Sequence, residues 1–190
     1  MLDLTGAFAS FPVLHTERFV LRAATFDDAP AVLRIMGDPR VMRYFGELPL
    51  TTLQAAEQRL ERQIAAFAEH EGIRWMITAD DAYIGSCGFW RIMPIHERAE
   101  IGYDLDPAWW GRGVMPEVLR VVLGFGFDTM ELHSVEAQID PANTGSRRVL
   151  EKCGFVQEGY FRENYFSPAD QRLTDTAIYA LLRRDWAARR

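Results

Sequence analysis

The sequence predicts an α/β chain, α+β in arrangement, built on a mixed, twisted sheet of about seven strands with helices on both faces. Three observations lead there. Seven short segments read as strands, and amphipathic segments of helical period separate them. The order that results, β-α-α-β-β-β-α-β-α-β-β, sets early meanders ahead of two late helical crossovers, which requires both parallel and antiparallel neighbours.

Each element has its own local signal. Residues 18–23 (RFVLRA) alternate as a first strand. Thr25 and Asp28 have capping-box spacing, so a helix is expected over about 27–36, interrupted by Asp38-Pro39. Thr51 and Gln54 form a second such box before 53–69, where Leu60, Ile64 and Phe67 fall at helical spacing. Residues 73–78 and 83–92 read as strands joined by a tight turn at Asp80-Asp81, and 98–105 alternates again. Asp106-Pro107 and a glycine-rich turn lead into a helix over about 115–128. A strand at 134–139 and a helix at 143–153 follow, the latter closed by Gly154. Residues 155–166 and 172–182 read as a closing pair of long strands around Ser167-Pro168.

Composition bounds the function classes. At 190 residues the chain is expected to form one domain over 1–190, with an N-terminal extension at 1–13 and a tail at 187–190. With 48% hydrophobic and 25% charged residues it is no disordered chain. A formal net charge of −6 leaves no basic excess to displace phosphate counterions, so nucleic acid is not an expected partner. Two cysteines, Cys87 and Cys153, make neither a disulfide framework nor a four-ligand zinc site, which fits a reducing compartment. The start has no basic leader segment and carries Asp3 in its apolar stretch, so a secretory signal is not expected. The longest apolar run, 121–127, falls far short of the roughly twenty residues of a membrane span. A cytoplasmic protein without membrane or metal is expected; the four histidines show no metal spacing.

The most informative segment is the turn Trp110-Gly111-Arg112-Gly113-Val114-Met115-Pro116, between a strand and a helix. Glycines let backbone N–H groups approach a ligand, and a helix N-terminus adds unpaired donors and a positive dipole end. The turn therefore reads as an anion cradle, with Pro116 expected at the first helical position. A dinucleotide fingerprint needs a third glycine where Pro116 stands, and a P-loop needs a Gly-Lys-Ser/Thr ending that is absent.

The pattern DP-x-x-WGRG over 106–113, followed thirty residues on by N-x-x-S-x-x-x-L-E-K-x-GF over 143–155, resembles the GNAT superfamily of acyl-CoA-dependent N-acyltransferases. More narrowly it looks like the RimJ/RimL-type branch, which includes ribosomal-protein alanine N-acetyltransferases. The resemblance runs from Leu14 to Trp186. It implies a GNAT fold in which two parallel strands splay apart, with acetyl-CoA in the V between them and its pantetheine arm along the free strand edge. The strands would be 98–105 and 134–139. Tyr103, Asp104 and Leu105 would hold the pantetheine amides through their backbone. Trp110, Gly111, Arg112, Gly113, Val114 and Met115 fall on the family's pyrophosphate motif. Two positions depart from it, since Trp110 replaces Gln or Arg and Met115 replaces a small residue. Asn143 would bond the pantetheine arm, and it is an equally good helix N-cap. Arg147, Arg148 and Lys152 either approach the CoA phosphates or form a solvated helix face.

The implied reaction, direct attack of an amine on a thioester, requires a neutral amine, a stabilised oxyanion and a hydrogen bond to the leaving thiolate. An α-amine of pKa about 8 is roughly 10% neutral at pH 7, against about 0.04% for a lysine of pKa about 10.4. The tyrosine that many family members carry seven residues after the Asn is Leu150 here; in the RimJ/RimL-type branch a Ser three residues after the Asn can face the thiolate instead, and the resemblance implies that role for Ser146. Glu100 shares a strand face with Gly102 and Asp104. It either takes the amine proton through a water or pairs with Arg98. The acceptor would meet Tyr44, Trp90 and Tyr165, and His133 is the one histidine near the CoA strand. Cys87 and Cys153 are expected in the core. Two alternatives stay open: a non-catalytic acyl-CoA-binding module, suggested by Leu150 and Met115, and a succinyl-CoA donor met by Arg43 or Arg162. The expected partners are an amine acceptor, either a protein N-terminus or a small amine, and a second copy in a homodimer.

Overall fold

The computed structural model describes residues 2–189; Met1 and Arg190, the ends of the expected domain, lie outside the described residues. The sheet has eight strands: β1 (Leu14–His15), β2 (Val20–Arg22), β3 (Ile73–Ala79), β4 (Ala82–Met93), β5 (Arg98–Leu105), β6 (Ser134–Ile139), β7 (Val156–Ser167) and β8 (Arg172–Leu182). Their order is β1-β2-β3-β4-β5-β6-β8-β7. The strand beyond the seven expected is β1, a two-residue edge too short to show alternation. Neighbours are antiparallel except β5 and β6, the parallel pair.

The helices are α1 (Thr5–Phe8), α2 (Ala29–Met36), α3 (Pro39–Met42), α4 (Leu53–Ala68), α5 (Val114–Gly124), α6 (Thr144–Cys153) and α7 (Arg183–Ala187). Their ends follow local chemistry, with some adjustments to the sequence reading. The Thr25/Asp28 capping box forms, but around a 3-10 turn at Phe26–Asp28 that precedes α2. Pro39 opens α3 under an Asp38 cap. The cap of α4 is Thr52, whose Oγ1 accepts the Ala55 N–H at 3.2 Å, and not Thr51. Helix α5 starts at Val114, which makes Pro116 the third helical residue; the i→i−4 ladder starts with Glu117, so a missing N–H costs no more there than at the first. Past Gly124 the chain continues as a π-helical turn, Phe125–Thr129.

Two cores flank the sheet. On one face α2, α3 and α4 bury Ile35, Met36, Met42 and Leu60 against Met76 and Tyr83. On the other, α5 and α6 bury Val118, Leu119, Val122 and Leu150 against Trp75, Ile77, Phe89 and Ile101. Successive β3 residues thus face different layers, as period 2 requires. Cys87 is buried in the second core and Cys153 packs at its edge. The expected N-terminal extension is packed on it: Phe8 and Phe11 lie 5.2 and 4.8 Å from the Phe67 ring, and the Pro12 carbonyl accepts the Trp75 indole N–H at 2.7 Å. Among the described residues no helix is long and apolar enough to cross a membrane.

Candidate active site

The parallel pair is short. β5 and β6 register only at Arg98↔Ser134, Ala99↔Val135 and Glu100↔Glu136, while β4 follows β5 as far as Leu105. Beyond Glu100 one edge of β5 therefore faces a gap, and the backbone groups of that edge have no strand partner there. Beside the parting, β4 shifts register between Trp90 and Met93, and Arg91 takes the left-handed conformation at φ 45°.

The turn after β5 is built to present backbone donors. Asp106 caps it by accepting the Ala108 N–H at 2.8 Å while its other oxygen pairs with Arg34 of α2, which accounts for the Asp-Pro that opens the motif. Trp110 donates its indole N–H to the Leu105 carbonyl at 2.8 Å, so the residue in the family's Gln/Arg position ties the turn to the strand end. Gly111 and Gly113 have φ of 73° and 74°, a region closed to most side chains, although a Cβ at Gly111 would meet open space and one at Gly113 only the end of the Arg18 side chain at 4.0 Å. The glycines answer to backbone conformation here. Because the ladder of α5 begins at Glu117, the N–H groups of Val114 and Met115 precede it and face outward with the positive dipole end. Arg18, unmarked by the sequence reading, braces this end by pairing with Glu117 at 2.7 Å and donating to the Arg112 carbonyl at 3.2 Å.

Helix α6 closes the gap. Asn143 Oδ1 accepts the Ser146 N–H at 3.0 Å, so the cap role is filled and Nδ2 is the group left to meet a ligand. Ser146 Oγ lies 2.7 Å from the Tyr103 hydroxyl. Two cavities meet at this point. One, of 750 Å³, runs past Tyr103, Asp104 and Leu105, along Trp110, Gly111, Gly113, Val114 and Met115, to Arg148 and Lys152. The other, of 540 Å³, holds Glu100, Trp90, Arg91 and residues of α4. Tyr44, Phe45, Tyr103, Asn143 and Ser146 line both.

In the smaller cavity Glu100 is buried, 7% exposed, and accepts from Arg91 Nη1 at 3.1 Å. Burial raises its carboxyl above the ordinary range, Arg91 opposes that rise, and Glu136 across the parallel register adds to it. Arg98, the partner expected for Glu100, pairs instead with Glu136 at 2.5 Å. Arg74, a lone charge within an apolar strand, donates to Ser86 Oγ at 2.8 Å and to the buried Asp104 at 3.0 Å. The wall carries four arginines (59, 62, 74 and 91) against Glu47, Glu71 and Glu100. Arg59 pairs with Glu47 at 3.0 Å.

The chain matches the family described as acetyltransferase (GNAT) domain over residues 18–156. It belongs to the GNAT acetyltransferases. The uncharacterized N-acetyltransferase p20 of Bacillus licheniformis is 34% identical over 176 residues, covering 92% of this chain and 98% of the relative. A solved GNAT-family acetyltransferase from Bacillus anthracis superposes with a TM-score of 0.81 at 27% identity, over 91% of this chain and 99% of that one. More distantly, the spermidine N(1)-acetyltransferase of Vibrio cholerae is 24% identical over 153 residues, 79% of this chain and 86% of the relative. The protein is thus an N-acetyltransferase, and its cosubstrate is acetyl-CoA. The splayed edge, the outward N–H groups and the cations Arg148 and Lys152 suit an extended, polyanionic cosubstrate.

Arg112, Tyr165 and His133, all singled out in the sequence of this acetyltransferase, stand apart from both cavities. The Arg112 guanidinium turns back over the Trp109 ring at 5.5 Å. Tyr165 donates to the Gly46 carbonyl at 3.0 Å, bracing the loop that carries Tyr44 and Phe45; a Cβ on Gly46 would sit 2.1 Å from its oxygen. His133 is held through its backbone, donating to Glu97 at 2.6 Å and accepting from Arg183 at 2.9 Å. Arg147 turns to Glu151 at 3.9 Å, leaving Arg148 and Lys152 to the cavity. Of the two cations considered for another donor, Arg43 lines the larger cavity and Arg162 neither. No group of three His, Cys, Asp or Glu side chains among the described residues is arranged to hold a metal ion.

Proposed function

We propose that this acetyltransferase acetylates an α-amine, that of a protein or peptide N-terminus, by direct attack, as the resemblance to the RimJ/RimL-type branch implies. The observation that carries the reading is the meeting of the two cavities at Ser146, with Glu100 on the acceptor side. In this reading the β5 edge from Tyr103 to Leu105 and the Asn143 amide hold the pantetheine arm. The N–H groups of residues 111–115 hold the pyrophosphate, Ser146 donates to the departing sulfur, and Glu100 takes the amine proton through a water. Tyr44 and Trp90 flank the acceptor.

Charge supports an α-amine over a polyamine. A polycation needs a surplus of carboxylates, and this wall has more arginines than glutamates, with Glu47 and Glu100 already paired. An α-amine is also the less demanding nucleophile, since its neutral fraction at pH 7 is about two hundred times that of a lysine-like amine. Free-thiol release from acetyl-CoA, measured with N-terminal peptides and with spermidine, tests the proposal. The expected kcat/KM for the best peptide exceeds that for spermidine by at least about tenfold. A preference for spermidine overturns the acceptor assignment, and coenzyme A binding without thiol release from any amine favours a non-catalytic module.

A further inference from the structure

We propose that the Tyr103 hydroxyl is a positioning group for acetyl transfer: it holds Ser146 so that the serine O–H points toward the departing sulfur. The inference rests on the function proposed above. Tyr103 comes from β5 and Ser146 from the first turns of α6, so the pair bridges the two elements that flank the gap, and both residues line both cavities. Their oxygens are 2.7 Å apart, and the Tyr103 oxygen lies 3.3 Å from the Ser146 carbonyl. A phenol is the stronger acid of the two, so the favoured arrangement has Tyr103 donating and Ser146 Oγ accepting. With its lone pair engaged, Ser146 has its own proton to give elsewhere, and a hydroxyl that accepts one hydrogen bond donates a better one.

The phenol does not act as an acid. Burial pushes it well above its ordinary value, far from that of a thiol, so it keeps its proton throughout. When the carbon–sulfur bond breaks, the electron pair goes to sulfur and Ser146 meets that charge with a hydrogen bond. The proton that finally neutralises the thiolate is the one lost by the amine, carried through solvent. Leu150, which stands where many family members place a tyrosine, is fully buried in the core, so Tyr103 brings a phenol to this helix from the neighbouring strand.

The experiment is a double-mutant cycle on the full chain with Tyr103→Phe, Ser146→Ala and the pair, reading kcat and KM for acetyl-CoA by thiol release and coenzyme A affinity by calorimetry. Phenylalanine keeps the ring in its packing. The expected result is a fall in kcat of about tenfold for Tyr103→Phe, one hydrogen bond's worth, with KM and coenzyme A affinity held within about twofold. Ser146→Ala falls at least as far, and adding Tyr103→Phe to it costs nothing more. Wild-type kcat in Tyr103→Phe, a raised KM alone, or single effects that multiply in the double variant would each overturn the inference. Failure of the wild type to release thiol with any amine overturns the underlying acetyltransferase mechanism instead, so the two failures are distinguishable.

Discussion

Glu100 and Tyr103 stand on opposite faces of β5; Glu100 lines the smaller cavity alone, while Tyr103 meets Ser146 of α6 where the two cavities join. Alternation alone gave that division. It did not give their partners. Arg91 reaches Glu100 because the chain is left-handed at φ 45° beside a register shift, and no periodicity in the sequence announces such a bulge. Arg74 was legible in principle, as one charge inside an apolar strand, and only the fold shows that Asp104 answers it. Two predictions belong to this scale. Ser146→Ala lowers kcat more than it raises KM for acetyl-CoA; the reverse split in steady-state kinetics would make Ser146 a binding residue. Glu100 must be ionised to take a proton, and burial raises its pKa, so kcat falls with acidification at a pH above that of an ordinary carboxylate. Arg91 opposes that rise, so Arg91→Gln moves the acid limb of the kcat profile to higher pH. An unmoved limb excludes Glu100 as the titrating base.

The Gly-x-Gly turn and the helices on either side of the gap are legible in the sequence as elements. The Gly-x-Gly turn, the Asn143 cap and the Gly154 stop all carry local signals, and Gly154 closes α6 at φ 96°. Where structure and sequence differ the cause is short-range: neighbouring threonines compete for one cap, and a proline suits the first or third helical position alike. Gly113→Val forces a branched side chain into the left-handed region, a strain of about 1–2 kcal/mol that the turn relieves by shifting. Coenzyme A affinity is expected to fall about tenfold by calorimetry, and unchanged affinity means the pyrophosphate sits elsewhere. The two uses of Asn143 separate in Asn143→Ser, because serine keeps the cap and lacks the amide. The melting temperature should hold while KM for acetyl-CoA rises severalfold; an unchanged KM leaves Asn143 as a cap only.

For the molecule as a whole, the formal charge of −6 conceals an uneven distribution. The larger cavity is lined by Arg40, Arg43, Arg148 and Lys152, and its one carboxylate, Asp104, is paired with Arg74. The smaller cavity gathers no surplus of carboxylates either. Such placement is invisible to composition, because residues far apart in the chain supply it. Stability has an acid limit of its own. Asp28 is buried, which alone would raise its carboxyl, but bonds from Arg22 and the Thr25 N–H outweigh burial and hold it below the ordinary value. The unfolded chain therefore takes up the proton first. This contribution is complete above about pH 3.9 and is lost as pH falls through the lower folded value. The urea midpoint of the wild type should exceed that of Asp28→Asn near pH 6, and the gap should narrow as pH falls below about 3.9; a gap that stays constant there means that Asp28 makes no such contribution.

In the function proposed above, the two cavities form one reaction channel joined at Ser146 and Tyr103. The most direct measurement is the affinity of a bisubstrate conjugate, with the sulfur of coenzyme A joined through an acetyl bridge to the α-amine of a short peptide. Engagement of both cavities predicts a Kd at least about tenfold below that of coenzyme A alone. A conjugate that binds no tighter than coenzyme A would contradict a joined channel, because its peptide half would then lie outside the smaller cavity.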